Sequence, residues 1–150
     1  LTQKTNQFNM TTKRYSVTDV EYLFKNNYDI FIIDYEDKFG KEGITGEAII
    51  KYENNVAFID NFLMSCRIIG RGVEYYFIYK ILNYLINKNI EYVKADFIKT
   101  QKNVVAENFY NDLEMIKNEN NCFFAEIKTI LKTIKNKFDF IEYINGEINE

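Results

Sequence analysis

Residues 65–82 read SCRIIGRGVEYYFIYKIL. A cysteine and an arginine precede Gly70-Arg71-Gly72. Val73, Tyr76, Phe77, Ile81, Tyr84 and Leu85 then recur at the i, i+3, i+4 spacing of a helix running from Gly72 to about Lys88. The preceding VAFIDNFLMS (Val56–Ser65) reads as a strand. A strand that feeds a glycine turn and a helix start presents free backbone N–H groups at the positive end of a helix dipole. Glycine lets an anion approach that backbone. The same Gly-x-Gly also suits an ordinary tight turn, and both readings stand. Tyr75 fills the third position of G-x-G-x-x-G, so the dinucleotide fingerprint is absent.

Moving outward, Thr18-Asp19-Val20-Glu21 has capping-box spacing and predicts a short helix over Thr18 to Asn26. YDIFIIDYED (Tyr28–Asp37) and GEAIIKYENN (Gly46–Asn55) read as strands of an antiparallel hairpin, joined by a glycine-rich turn over Asp37–Gly46. Met10–Tyr15 reads as a short strand. Beyond the central helix come a strand over Ile90–Ile98, a helix over Gln101–Leu113, and late strands over Asn121–Ile127 and Phe138–Ile144. The basic stretch Lys128–Lys137 is ambiguous. The order predicts one α/β (α+β) domain with a mixed central sheet flanked by helices.

Composition narrows the chemistry. The chain of 150 residues carries a net charge of −3 and no histidine. Without a basic footprint, no nucleic-acid partner is expected. No apolar run is long enough for a membrane span, and no signal peptide is visible. The missing histidine removes Ser-His-Asp and Cys-His catalysis in their usual forms and most zinc sites; no metal is expected. Any acid or base must be Asp, Glu, Tyr, Cys, Lys or water. Cys66 and Cys122 are too few and too far apart for a disulfide framework, which points to a reduced, cytoplasmic setting.

The element order resembles the GNAT acyl-CoA N-acyltransferase fold: a hairpin, a third strand, a glycine turn into a helix, a strand, and a second helix ending in Phe-Tyr. The resemblance implies that the turn holds the pyrophosphate of coenzyme A and that splayed strands hold its pantetheine arm. Arg67-Ile68-Ile69-Gly70-Arg71-Gly72 fits one spelling of the superfamily motif, Arg/Gln-x-x-Gly-x-Gly/Ala. Ile69 to Glu74 fits the run Arg-Gly-x-Gly-Ile-Gly, and is preferred because it buries Val73 rather than Arg71. Ile69 then replaces the usual Arg, and Glu74 the usual final Gly. A carboxylate there disfavours a pyrophosphate and leaves room for a carrier with a single phosphate. Asn103-x-x-Ala106-x-x-Phe109-Tyr110 matches the pattern of the second helix, although Glu114-Met115 replaces the usual Gly-Phe. The resemblance implies that Asn103 and Met64 contact the cofactor and that Tyr110 protonates the leaving thiolate; Tyr110 as a packed aromatic is the alternative.

Longer phrases look like the C-terminal half of FkbH-like proteins: LTQKTNQFNMTTKRY (1–15), DKFGKEGITG (37–46), IDNFLMSCRIIGRGVE (59–74) and TQKNVVAENFY (100–110). That family joins a phosphatase-like HAD domain to a GNAT-like domain. It moves a glyceryl unit from 1,3-bisphosphoglycerate to the phosphopantetheine of an acyl carrier protein, in methoxymalonyl-carrier and other polyketide pathways. The resemblance implies that residues 1–15 are a linker from a missing HAD domain and 16–150 the GNAT-like acyltransferase domain. A simply trimmed N-terminus is the alternative. It also reframes Cys66 as an acyl acceptor, whose thiolate Arg67 and the helix dipole would favour; a small buried apolar residue is the alternative. Cys122 is expected in the core. Arg67 and Arg71 are phosphate ligands or surface charges, with Gly70 and Gly72 forming the cradle. Asn6, Gln7 and Asn9 are expected to line the acyl pocket. Asp60 and Glu74 are the candidate bases. A non-catalytic GNAT-shaped docking module, or an ordinary coenzyme A-dependent N-acetyltransferase, would share the same fold.

Overall fold

The computed structural model describes residues 7–138. Asn6 and nearly all of the strand expected over Phe138–Ile144 lie outside that range. The elements are β1 (Phe8–Asn9), α1 (Val17–Lys25), β2 (Tyr28–Asp37), β3 (Gly40–Glu53), β4 (Val56–Met64), α2 (Val73–Asn87), β5 (Tyr92–Asp96), α3 (Phe109–Asp112), β6 (Ile116–Lys117), β7 (Cys122–Glu126) and α4 (Ile127–Thr133). They build a mixed sheet in the order β2-β3-β4-β5-β7-β6, with β1 joined separately to β4. Among the described residues only the β4–β5 pair is parallel; its crossover is α2, which lays Phe77, Ile78, Ile81 and Leu85 into the core.

β4 is the central strand, and Ala57 and every residue from Ile59 to Met64 are buried. A strand covered on both sides reads as a continuous apolar run, so Asp60-Asn61 inside it stands out. The register to β3 slips there, with Ile49 opposite Asn61 and Ile50 opposite Ile59, which makes Asp60 the extra residue of a β-bulge. Phe62 anchors the face toward α2. Its ring lies 5.4 Å from Phe77 and stacks on Phe109 at 5.0 Å. Phe8 meets Phe109 edge-on at 5.2 Å.

Several expectations need correction. The first strand is Phe8–Asn9 rather than Met10–Tyr15, because Thr12 turns to a positive φ of 58° and donates its N–H to Asn9 Oδ1 at 2.9 Å. Thus Phe8–Asn9, in the stretch expected as linker, pair with β4, and Met10 is fully buried. The capping box of α1 is Ser16 with Asp19, not Thr18 with Glu21. The reversal between β2 and β3 is confined to Lys38-Phe39. Gly40 to Gly46 continue as strand, with the three glycines paired to β2 and register shifts that skip Glu42 and Thr45. The helix expected over Gln101–Leu113 is only a 3₁₀ turn (Val104–Ala106) and the four residues of α3. Lys128–Lys137 is helical, as α4 and a following 3₁₀ turn. β6 was not expected.

Gly46 lies between Ile33 on β2 and Met64 on β4. A Cβ there would come within 2.6 Å of Ile33 Cγ2 and of Met64 Sδ. Met64 is fully buried and Ile33 partly so, which leaves Met64 no free space to yield into. Gly46→Ala should therefore cost about 1–3 kcal/mol, the usual range for overpacking. Urea unfolding checks this, and an unchanged midpoint would contradict the packing described.

Candidate active site

The turn after β4 begins where Ser65 N–H donates to Thr45 O at 2.6 Å. Ile68 N–H then bonds Ser65 O, and Arg71 N–H bonds Ile68 O at 3.4 Å. Gly70 and Gly72 both adopt φ of 80°, the left-handed region in which a side chain is strained. Gly72 is the N-cap of α2, and having no side chain it caps nothing itself. Its carbonyl accepts from Tyr75 and Tyr76. Val73 is buried and Arg71 exposed, as the preferred motif register requires. The glycines thus supply the expected backbone shape.

The side chains around this turn are arranged less simply. Cys66 is exposed, which removes the reading of it as a packed core residue. Arg67 Nη1 pairs with Glu42 Oε2 at 3.0 Å. Arg71 Nη1 reaches both Asp37 Oδ2 and Tyr35 OH at 3.2 Å. Both arginines are therefore tied to the β2–β3 hairpin, and the Arg67 charge goes to Glu42. Met64 is buried at the end of β4 beside Gly46. Glu74 is buried, and its Oε2 has no partner among the described residues. Burial pushes its carboxyl up, while the N–H groups of Glu74 and Gly70 pull it back. The chain has buried a carboxyl group of its own at the helix start that follows the turn expected to hold phosphate.

Asn103 and Tyr110 lie inside the protein. Asn103 is fully buried. Its Nδ2 donates to Asn9 O at 3.0 Å and Ile98 O at 2.8 Å, and its Oδ1 accepts from Thr100 N–H at 2.7 Å. These bonds tie the N-terminal segment to the irregular segment after β5. Tyr110 packs against Phe109 and Phe123 and is almost completely buried. Its hydroxyl has no partner among the described residues; burial first, and Asp96 second, push its pKa up, so it stays protonated. Cys122 is half-buried at the start of β7, opposite Asp96, rather than in the core, and burial and Asp96 push its thiol up. Gln7 is exposed, whereas Asn9 is buried next to Asn103.

A second polar cluster, of which the sequence reading singled out only Asp60 and Asn9, surrounds the β4 bulge. Asp60 Oδ1 accepts from Lys13 Nζ at 2.5 Å, and Oδ2 accepts a short hydrogen bond from Tyr15 OH. Burial, then the bond to Asp60, push the Tyr15 hydroxyl up. The Thr11 hydroxyl lies 3.1 Å from both Asp60 O and Asn61 Oδ1. Asn61 is buried with Nδ2 unpartnered among the described residues. Glu47, also raised by burial, sits opposite Leu63, which pairs on its other side with Asn9. The available signal was Asp-Asn interrupting an apolar strand.

No protein-family model matches this sequence, and no curated protein matches it. Solved structures do match the fold. A GNAT-family acetyltransferase from Staphylococcus aureus Mu50 aligns over 73% of this chain and 75% of its own at 11% identity, with a TM-score of 0.55. AtaTR bound with AcCoA aligns over 76% and 78% at 13% identity, TM-score 0.59. The ribosomal-protein-S18-alanine N-acetyltransferase of Escherichia coli aligns over 75% and 76% at 10% identity, TM-score 0.54. The chain has the GNAT fold, as its element order predicts.

The buried Glu74 makes a pH-dependent prediction. Its folded-state pKa is raised, so between the unfolded and folded values the native state binds more protons and stability falls as pH rises. Glu74→Gln should be more stable than the parent at neutral pH. The gap should close as pH drops below the ordinary carboxylate range. Thermal unfolding across pH measures it; identical curves at every pH would contradict the buried-carboxylate assignment.

Proposed function

We propose that this domain is an acyltransferase that passes an acyl group through Cys66 to the phosphopantetheine thiol of an acyl carrier protein. The carrying observation is an exposed thiol at the start of a left-handed glycine turn, followed by a carboxyl group, Glu74, buried in the first turn of the helix. A coenzyme A diphosphate held at the turn would meet the negative charge of that carboxylate. A carrier arm brings a single phosphodiester, and the carrier's own surface adds contacts. A repulsion of about 1.4 kcal/mol is a tenfold loss of affinity. Arg67 and Arg71 can exchange Glu42 and Asp37 for a phosphate at little cost, because exposed ion pairs contribute only about 0–1 kcal/mol.

The chemistry balances without histidine. The Cys66 thiolate attacks an activated acyl carbonyl, a sulfur–carbon bond forms, and the donor's phosphate or thiolate leaves. The carrier thiolate then attacks the S-acyl carbonyl and expels Cys66 as thiolate. The second step exchanges one thioester for another and is close to balanced. The glyceryl-type acyl group, the methoxymalonyl-type pathway and an adjoining HAD domain rest on the phrases that resemble FkbH-like proteins. Fully enclosed, Tyr110 and Asn103 serve this reading as support for the fold rather than as groups meeting the carrier.

A second reading, coenzyme A-dependent N-acetylation, is favoured by the likeness to acetyltransferases, one of them solved with AcCoA. Asp60, with Lys13 and Tyr15, would then supply the carboxylate near an amine. Intact-protein mass spectrometry after incubation with S-acetyl-pantetheine separates the two. We expect one acetyl adduct, lost in Cys66→Ser and retained in Cys122→Ser, and carrier binding at least about tenfold tighter than coenzyme A. Amine acetylation by a fully active Cys66→Ser variant would replace the first reading with the second.

A further inference from the structure

β4 and β5 pair only from Val56–Tyr92 to Ile59–Ala95. Beyond that point β4 continues to Met64, and the chain's own N-terminal segment lies along it. On one side, Phe8 pairs with Met64, Asn9 pairs with Leu63, and Met10 N–H donates to Phe62 O at 3.1 Å. On the other, Ile98 N–H donates to Met10 O at 2.8 Å and Asn103 Nδ2 to Asn9 O at 3.0 Å. Phe8 and Met10 are 3% and 0% exposed. Two parting strands leave facing backbone groups, which an extended amide-bearing chain can complete by β-augmentation. Pantetheine is such a chain. Here peptide holds the place.

We propose that Phe8–Thr11 is a built-in occupant of this gap and a specificity element, shutting extended amide-bearing arms out of the sheet. A pantetheine arm does not fit between β4 and β5 while Met10 bridges Phe62 and Ile98. Thiol substrates then meet Cys66 from the exposed side of its turn. That last clause rests on the transfer reading; the closure rests on the backbone bonds alone. Phe8 and Met10 are core residues and the bridge is part of the sheet, so the segment opens no more readily than the sheet does.

Amide hydrogen exchange on the full chain, with and without acetyl-CoA, tests the closure independently of any acylation of Cys66. The Met10 and Ile98 amides should exchange as slowly as that of Phe62, and acetyl-CoA should leave them unchanged. Asn103→Asp keeps the side chain's shape but removes the Nδ2 donor. In that variant, checked for folding by circular dichroism, Met10 and Ile98 should exchange at least about tenfold faster. Acetyl-CoA should bind it at least about tenfold more tightly than the parent, a change of about 1.4 kcal/mol. Faster Met10 and Ile98 exchange in the parent on adding acetyl-CoA would overturn the proposal by showing a displaceable strand. A loosened variant with no gain in affinity would overturn it by showing that the segment is not what excludes the arm. Failure of Cys66 to become acylated would remove the transfer reading and leave these exchange results to judge the closure.

Discussion

Where two parallel strands part, their facing backbone groups still need partners, because a buried peptide group left unpaired costs free energy comparable to a lost hydrogen bond. In this chain that constraint falls on the far half of β4 and on Ile98. Met10 answers it from both sides, donating to Phe62 and accepting from Ile98. Much of the neighbouring structure follows from that bridge. It carries Phe8 against Phe109, sets Thr11 at the β4 bulge, and leads the chain to Lys13 and Tyr15 on Asp60. Asn103 fixes the bridge by bonding Asn9 and Ile98 at once, which gives a buried asparagine a structural reason to be present.

The glycine turn shows the same habit of self-completion. Left-handed Gly70 and Gly72 shape a backbone suited to an anion, and Glu74 buries a carboxyl group at the helix start that follows. Burying a carboxylate with one unpartnered oxygen is costly. The positive end of α2 and the turn amides offset part of that cost. In this chain peptide pairs with the far half of β4, and a buried carboxyl group sits at the helix start after the turn. Cys66 remains exposed beside both.

The sequence made the long local elements legible. β2, β4, β5, β7 and α2 follow directly from β-branched, aromatic and helical-period patterns, and the strand–turn–helix order was enough to suggest the GNAT fold. What stayed hidden depends on long-range contacts. A strand of two residues, Phe8–Asn9, has no period to read, and its partner lies about fifty residues away on β4. Val105, Phe109 and Leu113 share a helical spacing, yet Val105 is exposed and Asn103 spends its amide on other segments instead of supporting a helix. Tyr110 fits the motif by spacing while its surroundings enclose it. Glu74 was visible as an unusual residue at the turn, but its burial was not.

The central claim is that the chain's own backbone, rather than a cofactor arm, completes the gap beside β4. The most direct measurement is the scalar coupling across the hydrogen bond from Ile98 N–H to the Met10 carbonyl, by nuclear magnetic resonance on the full chain with saturating pantetheine. A coupling that is present and unchanged by pantetheine is the predicted result. Its loss on adding pantetheine, with new contacts from the ligand to Phe62 and Ile98, would contradict the account.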